Sequence, residues 1–209
     1  MIEPKIFLDF DETLFNHYAY MEWASELLEK FGAKAGVYKQ TVDKFHTQVD
    51  DLLRLYRHEE HIEFASKKSW AYLSGEIEQA LSRGNHDFCY SDTHAFLQKI
   101  VKTYKDVRIL TYGNGEYQRY KINLCRFLSA LRIPVHVVNQ PKRQFLSAHF
   151  GKIAGILIDD KYPLDLPTNW THFWINRKGK VNHTAYTAKD NAFEITTLNQ
   201  FFDVVKSNK

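Results

Sequence analysis

The spacing of apolar residues changes character twice along the chain. Near the start, Ile6-Phe7-Leu8 forms a short apolar run flanked by charge and stopped by Asp9, Phe10 and Asp11. A run of that length reads as one buried strand. From Tyr20 onward the period becomes helical. Tyr20, Trp23, Ala24, Leu27, Leu28 and Phe31 share one face, with Gly32 as a stop; Val42, Phe45, Val49, Leu52, Leu53 and Tyr56 form a second set; Trp70, Leu73, Ile77, Ala80 and Leu81 form a third, ended by Gly84-Asn85. No strand-like alternation stands between Phe15 and Asp87, so residues 16–91 read as an all-helical insertion, about 75 residues long and thus the size of a small domain.

Beyond Ser91 and Asp92 the pattern alternates. A helix carrying Phe96, Leu97, Ile100, Val101 and Tyr104 precedes an apolar strand, Val107 to Thr111. A helix from Glu116 to Leu131 follows, then a strand from Val135 to Val138, a short helix from Arg143 to Phe150, a strand from Gly155 to Ile158, a fifth strand from His172 to Ile175, and a closing helix from Leu198 to Val205. Strands alternating with helices imply a parallel sheet joined by right-handed crossovers. The expected organisation is an α/β core from residues 1–15 and 92–209, interrupted by the helical block, with chain crossings near Asn16 and Ser91 that could hinge.

Composition narrows the function classes. With 44% apolar and 25% charged residues the chain is an ordinary globular protein, and a net charge of +3 is too small to argue for nucleic acid or an anionic membrane. No basic run with interleaved aromatics appears, and no apolar run approaches the roughly 20 residues of a membrane span. The first residues carry no signal-peptide pattern. Neither Cys89 nor Cys125 belongs to a C-x-x-C pair, so a reduced, cytoplasmic protein is the simpler expectation and a disulfide the alternative.

The chemistry gathers at strand ends. Side chains alternate along a strand, so Asp9 and Asp11 point the same way at the carboxyl end of the first one, where open α/β sheets bind ligands. Paired carboxylates repel unless a cation lies between them or one keeps a proton, and Mg²⁺ suits such hard oxygen donors. A second acidic pair, Asp159-Asp160, ends the strand Ile156-Leu157-Ile158, with Asp165 further on. Thr111 ends another strand, before Tyr112, Gly113 and Asn114; a hydroxyl and the amides of such a turn can hold phosphate oxygens, and a glycine lets backbone approach a ligand closely.

Asp9-Phe10-Asp11-Glu12-Thr13-Leu14 resembles the first signature, D-x-D-x-T, of the haloacid dehalogenase-like (HAD) superfamily, and Thr111, a following lysine and Asp159-Asp160 occur in that family's order. The resemblance covers Met1 to Phe15 and roughly Asp92 to Trp174. It implies a Rossmann-like core with a helical cap and a Mg²⁺-dependent phosphatase acting on a small phosphorylated metabolite. Asp9 would be the nucleophile and Asp11 the acid and base. Thr111, Tyr112 and Gly113 would hold the phosphate. Mg²⁺ would be bound by Asp9, the backbone carbonyl of Asp11, Asp159, and Asp160 directly or through water. An acid two residues after the nucleophile favours phosphate esters over halides, because a departing halide needs no proton. Three lysines are candidates for the one that neutralises the phosphoryl group: Lys142 is preferred by position, Lys152 is the runner-up, and Lys121 is expected to face solvent.

Alternative functions are a phosphotransferase or sugar phosphomutase of the same superfamily and, in a different class, a non-catalytic phosphate-ligand module. A homodimer is compatible with the sequence. His17 sits at the expected hinge, where it would contact substrate or lie exposed. The segment His58-Glu59-Glu60-His61 lacks H-E-x-x-H spacing and reads as a solvated helix turn. Trp23, Phe45, Tyr56 and Trp70 read as the insertion's own core.

Overall fold

The structure, a computed structural model, describes residues 3–48, 54–84, 86–161, 166–177 and 191–207. Asp165, and Val49, Leu52 and Leu53 of the second helical set, lie outside these residues. Six parallel strands form the central sheet: β1 (Lys5–Leu8), β4 (Val107–Tyr112), β5 (Val135–Val138), β6 (Gly155–Asp159), β7 (Trp170–Ile175) and β8 (Ala192–Ile195), in the order β5-β4-β1-β6-β7-β8. Strand β1 is central, with Leu8 registered against Ile109 on one side and Ile158 on the other. The connections diverge there, so β1 marks the crevice at which such sheets take their ligands.

The strands are apolar on both faces because both are covered. Ile6, Leu8, Ile109, Ile156 and Ile158 join one core with Phe96, Leu97 and Ile100 of α5 (Thr93–Thr103) and Phe201 and Phe202 of α9 (Gln200–Ser207). Phe7, Leu110 and Leu157 point the other way, onto Trp170 and onto Leu146 of α8 (Lys142–Phe150). The Trp170 ring lies so close over β6 that a Cβ on Gly155 would stand 2.6 Å from it.

Three sequence expectations are corrected. A sixth strand, β8, lies at the sheet edge, where Ala-Phe-Glu-Ile was too short and mixed to stand out. The helix expected over 116–131 breaks at Cys125, whose ψ of 76° is not helical, giving α6 (Gly115–Leu124) and α7 (Arg126–Leu131). The insertion is not all helical. Between α1 (His17–Lys30), α2 (Val37–Thr41), α3 (His58–Ser66) and α4 (Trp70–Gly84) it carries a 3-10 turn (Val42–Phe45) and an antiparallel pair, β2 (His46–Gln48) with β3 (Arg54–Tyr56). The hairpin brings Phe45 and Tyr56 to a single ring, that of His61: Phe45 stacks on it at 4.5 Å and the Tyr56 hydroxyl lies 2.6 Å from Nδ1. Apolar spacing that resembled a helical face is met by residues converging from the 3-10 turn and from β3.

The two crossings between core and insertion run side by side. Phe15 pairs with Cys89, the Asn16 amide donates to the Phe88 carbonyl at 2.7 Å, and the Tyr90 amide donates to the Leu14 carbonyl at 3.0 Å.

Candidate active site

Asp9 follows β1, its amide bound to the Ile158 carbonyl at 2.8 Å and its Oδ1 accepting from the Phe10 amide at 2.7 Å. Phe10 is fully buried and stacks on Phe15 at 5.0 Å, which ties down the loop between the two aspartates. Glu12 completes the turn with φ of 58°, and its carboxylate accepts from the Tyr90 hydroxyl at 2.8 Å.

Asp159 ends β6 with no exposed surface, and its Oδ1 accepts from the Lys161 amide at 2.8 Å. Lys142 opens α8 directly after Pro141 and reaches into the crevice, where Nζ lies 2.5 Å from Asp9 Oδ1 and 2.7 Å from Asp159 Oδ2. Carboxylate oxygens of Asp9, Asp159 and Asp160 lie within 4.8 Å of one another. Thr111, 1% exposed, and Tyr112 line the same cavity, of about 470 Å³. Lys152 precedes β6 and lines a separate pocket with Glu3, Lys5 and Asp106 at the opposite end of the sheet. Of the candidate lysines, Lys142 is the one at these carboxylates.

Three carboxylates share one buried cation, Lys142, and a largely exposed one, Lys161, whose Nζ lies 4.0 Å from Asp160. Burial and then Asp159 push the Asp9 carboxyl well up, and Lys142 only partly offsets them. Burial also works against charge on Asp159, but Lys142 outweighs it and holds that carboxyl low. Burial raises Asp160. The cluster is short of positive charge.

Asp11 does not join that cluster through its side chain. It points towards α6, where the Lys121 ammonium pairs with Oδ1 and Gln118 Nε2 donates to Oδ2 at 2.9 Å. Burial opposes ionisation of Asp11, but Lys121 more than compensates and lowers its pKa. Lys121, expected in solvent, is 2% exposed. Its ammonium lies among aromatic rings, 5.8 Å from the centre of Phe10, 5.7 Å from that of Phe15 and 4.6 Å from that of Tyr117. Nearby His17 is only partly exposed, and burial pushes it down to about 4, with Lys121 adding to the effect. The sequence did offer a signal: Tyr117, Gln118, Lys121 and Ile122 occupy one face of α6, so two polar residues stand inside an apolar stripe.

Gly113 adopts φ of 141°, a left-handed conformation that favours glycine, and its amide donates to the Val138 carbonyl at 3.1 Å. That amide is therefore engaged within the sheet. Asn114 caps α6, its Oδ1 accepting from the Glu116 and Tyr117 amides at 3.0 Å each.

Asp11, Glu12, Tyr112 and Lys161 also wall a second cavity of about 520 Å³, whose far side is built from the insertion by His17, Met21, Lys39, His46 and Tyr56. The histidines of His58-Glu59-Glu60-His61 are buried rather than solvated. His58 Nε2 meets the Tyr20 hydroxyl at 3.2 Å and stacks on Tyr117, and His61 Nε2 meets the Thr41 hydroxyl at 2.9 Å. Only the intervening glutamates face water.

No protein-family model matches the sequence, and no curated protein matches it significantly. Solved structures do match over almost the whole chain. A candidate HAD hydrolase from Bacillus subtilis bound to magnesium is 16% identical, with a TM-score of 0.60 over 98% of this chain and 99% of that one. A dehalogenase with an intermediate complex is 16% identical, with a TM-score of 0.59 over 98% of both chains. A HAD family hydrolase from Deinococcus radiodurans with bound phosphate and sodium is 11% identical, with a TM-score of 0.53 over 98% of this chain and 96% of that one. The fold is that of the HAD-like hydrolases, and the resemblance read from the first signature holds at that level.

Proposed function

We propose that the protein is a Mg²⁺-dependent phosphatase that hydrolyses a small phosphate monoester through an aspartyl-phosphate on Asp9. One observation carries this reading: Lys142 bridges Asp9 and Asp159 at 2.5 and 2.7 Å, with the Asp160 carboxylate beside them at the carboxyl end of the central strands.

The donor set suits a hard divalent cation. Three carboxylates offer oxygens within 4.8 Å of one another, and burial with mutual repulsion raises the Asp9 carboxyl, a cost that a further positive charge would offset. Asp9, Asp159, Asp160 and the main-chain carbonyl of Asp11 would hold the ion. Bound there, it screens the like charges and orients the phosphate.

In the first step an Asp9 oxygen attacks phosphorus as the ester P–O bond breaks, and the departing oxygen takes a proton from Asp11. The donor is the protonated form of Asp11; Lys121 and Gln118 hold the ionised form that this step leaves, which is the base needed next. In the second step water attacks phosphorus, Asp11 accepts its proton, and Asp9 is released with inorganic phosphate. Lys142 and the Thr111 hydroxyl neutralise and bond the non-bridging oxygens.

The alcohol part of the ester would occupy the second cavity. Residues 16–91 would then act as a cap, excluding water until the substrate is seated. The carboxylate at Asp11 favours an ester over a halide, because a leaving alkoxide needs a proton and a halide does not.

The test is a panel of phosphorylated metabolites assayed with Mg²⁺ and with chelator. Hydrolysis of at least one ester by wild type with Mg²⁺, lost in folded Asp9→Asn, is expected. A panel left intact by wild type in excess Mg²⁺, or full activity in Asp9→Asn, would overturn the reading. Phosphoryl transfer to a second hydroxyl in place of water would instead identify the phosphomutase alternative.

A further inference from the structure

A second cluster of metal-ligating side chains lies away from the strand ends, at the root of the insertion. Asp87, Cys89 and His94 each offer a ligand atom, and these atoms lie within 4.8 Å of one another. The three come from two elements: Asp87 and Cys89 from the segment returning out of the insertion, His94 from the first turn of α5. A fourth donor comes from another part of the fold. Cys125, at the break between α6 and α7, has its thiol beside that of Cys89, although it stands outside the group whose atoms all lie within 4.8 Å. Both thiols are free.

Two of the three side chains are held in place by other contacts, and His94 and Asp87 meet as a half-exposed ion pair. The Asp87 carboxylate is fixed by accepting the Cys89 amide at 2.9 Å. The His94 ring is fixed by stacking on Phe127 at a centroid distance of 4.2 Å. Nε2 of His94 lies 2.8 Å from Asp87 Oδ2, yet off the line of a hydrogen bond, so this water-shielded nitrogen has no hydrogen-bond partner although the residue is half exposed.

We propose that Asp87, Cys89 and His94 form a structural zinc site, completed by a small rotation of the Cys125 thiol beside Cys89, that clamps the returning segment of the insertion to α5 and to the α6–α7 break. The donor set supplies the reason. Two thiols, an imidazole and a carboxylate make a four-ligand set of the tetrahedral zinc type, and thiolate sulfur disfavours the hard Mg²⁺ suited to the all-oxygen cluster at the strand ends. Binding displaces the thiol protons to solvent as the two Zn–S bonds form, which makes occupancy fall at low pH. Because Cys89 pairs with Phe15, the ion would lock the two chain crossings together directly behind the Asp9–Asp11 loop.

The experiment uses the full chain, stripped with chelator and kept reduced with a phosphine, then titrated with Co²⁺ and competed with Zn²⁺. Wild type is expected to develop the thiolate-to-cobalt absorption of a tetrahedral site, lost stoichiometrically to a single zinc ion per chain. Cys89→Ser and His94→Ala should each weaken zinc by more than the roughly 10–100-fold that loss of an outer-shell partner costs. Asp159→Asn, which alters only the all-oxygen cluster, should leave the absorption unchanged. Zinc should also protect Cys89 of wild type from alkylation, a readout that survives misfolding of either variant. Absence of the thiolate absorption in wild type, an undiminished absorption in folded Cys89→Ser, or a Cys89–Cys125 disulfide forming equally fast with and without zinc would each overturn the proposal.

Discussion

Lys121 gives the sharpest test of the site's architecture, because its buried position contradicts a plain reading of the sequence. Lys121→Met keeps an apolar side chain of similar length but removes the ammonium from Asp11 and from the rings of Phe10, Phe15 and Tyr117. Removing one partner of a buried ion pair costs about 3–5 kcal/mol. Here the Asp11 side chain is 28% exposed and keeps its bond from Gln118, so water and an amide compensate in part, and a loss of about 2–3 kcal/mol is expected. For a chain of this size that corresponds to a fall in Tm of about 4–12 °C.

The sign of the pH dependence follows from Asp11. Its pKa in the folded protein is lowered, so the stability it contributes is present above its ordinary value of about 3.9 and disappears as pH falls through the folded value. The gap between wild type and Lys121→Met should therefore close in acid. Asp11→Asn in the Lys121→Met background should recover part of the loss, with a coupling of about 0.5–3 kcal/mol. Urea denaturation of the four proteins at neutral and acid pH measures all of this. A Lys121→Met protein within about 0.5 kcal/mol of wild type at neutral pH would behave as a surface substitution does, and would refute the pairing.

Three further outcomes are expected. Lys142→Met should lower kcat/KM on any ester the wild type hydrolyses by about 10²–10³-fold, whereas Lys152→Met, at the far end of the sheet, should leave it unchanged; steady-state kinetics with Mg²⁺ decides. Burial lowers His58 to about 3, so the folded state keeps the ring neutral, and the stability this provides is lost as pH falls below about 6.5; His58→Gln should flatten that acid loss by up to about 1.4 kcal/mol per pH unit, read from denaturant midpoints. Gly155→Ala would place its Cβ 2.6 Å from Trp170 and should cost about 1–3 kcal/mol through overpacking, visible as a lower Tm.

What could be read from the sequence was what depends on local order. Asp9 and Asp159 follow short apolar runs, and a strand buried on both faces needs no information beyond its own composition. Each run therefore indicated both a strand and the end at which its acid would emerge. Five of the six sheet strands were legible in this way, whereas Lys142 was singled out by the family's motif order rather than by local pattern. Strand β8 was not, because an edge strand with one half-covered face carries a weak apolar signal. The hairpin of β2 and β3 was misread for a different reason. Its residues are spaced as on a helix, but what holds them is a buried imidazole that needs the Tyr56 hydroxyl on one nitrogen and the Thr41 hydroxyl on the other. Periodicity records which residues are apolar and carries no trace of such a requirement.

Lys121 was misread for the most instructive reason. A lysine on an amphipathic helix is assigned to water because burying an unpaired ammonium is prohibitive. That argument fails once a carboxylate is brought to meet it, and Asp11 lies 110 residues away in the chain. Helix α6 divides its contacts between two parts of the fold. Gln118 and Lys121 hold Asp11, while Tyr117 and Tyr120 stack against His58, Tyr117 also meets Tyr56, and Tyr120 meets Trp70 of the insertion. A shift of the insertion against α6 thus acts on the helix that positions the Asp11 carboxylate, without passing through Asp9, Lys142 or Asp159. In the proposed reaction the attacking group and the proton-transfer group are held by different supports, the first by the central strands and the second by a helix in contact with the insertion. Substitutions at the Tyr117–His58 contact should therefore disturb proton transfer while leaving the carboxylate cluster in place.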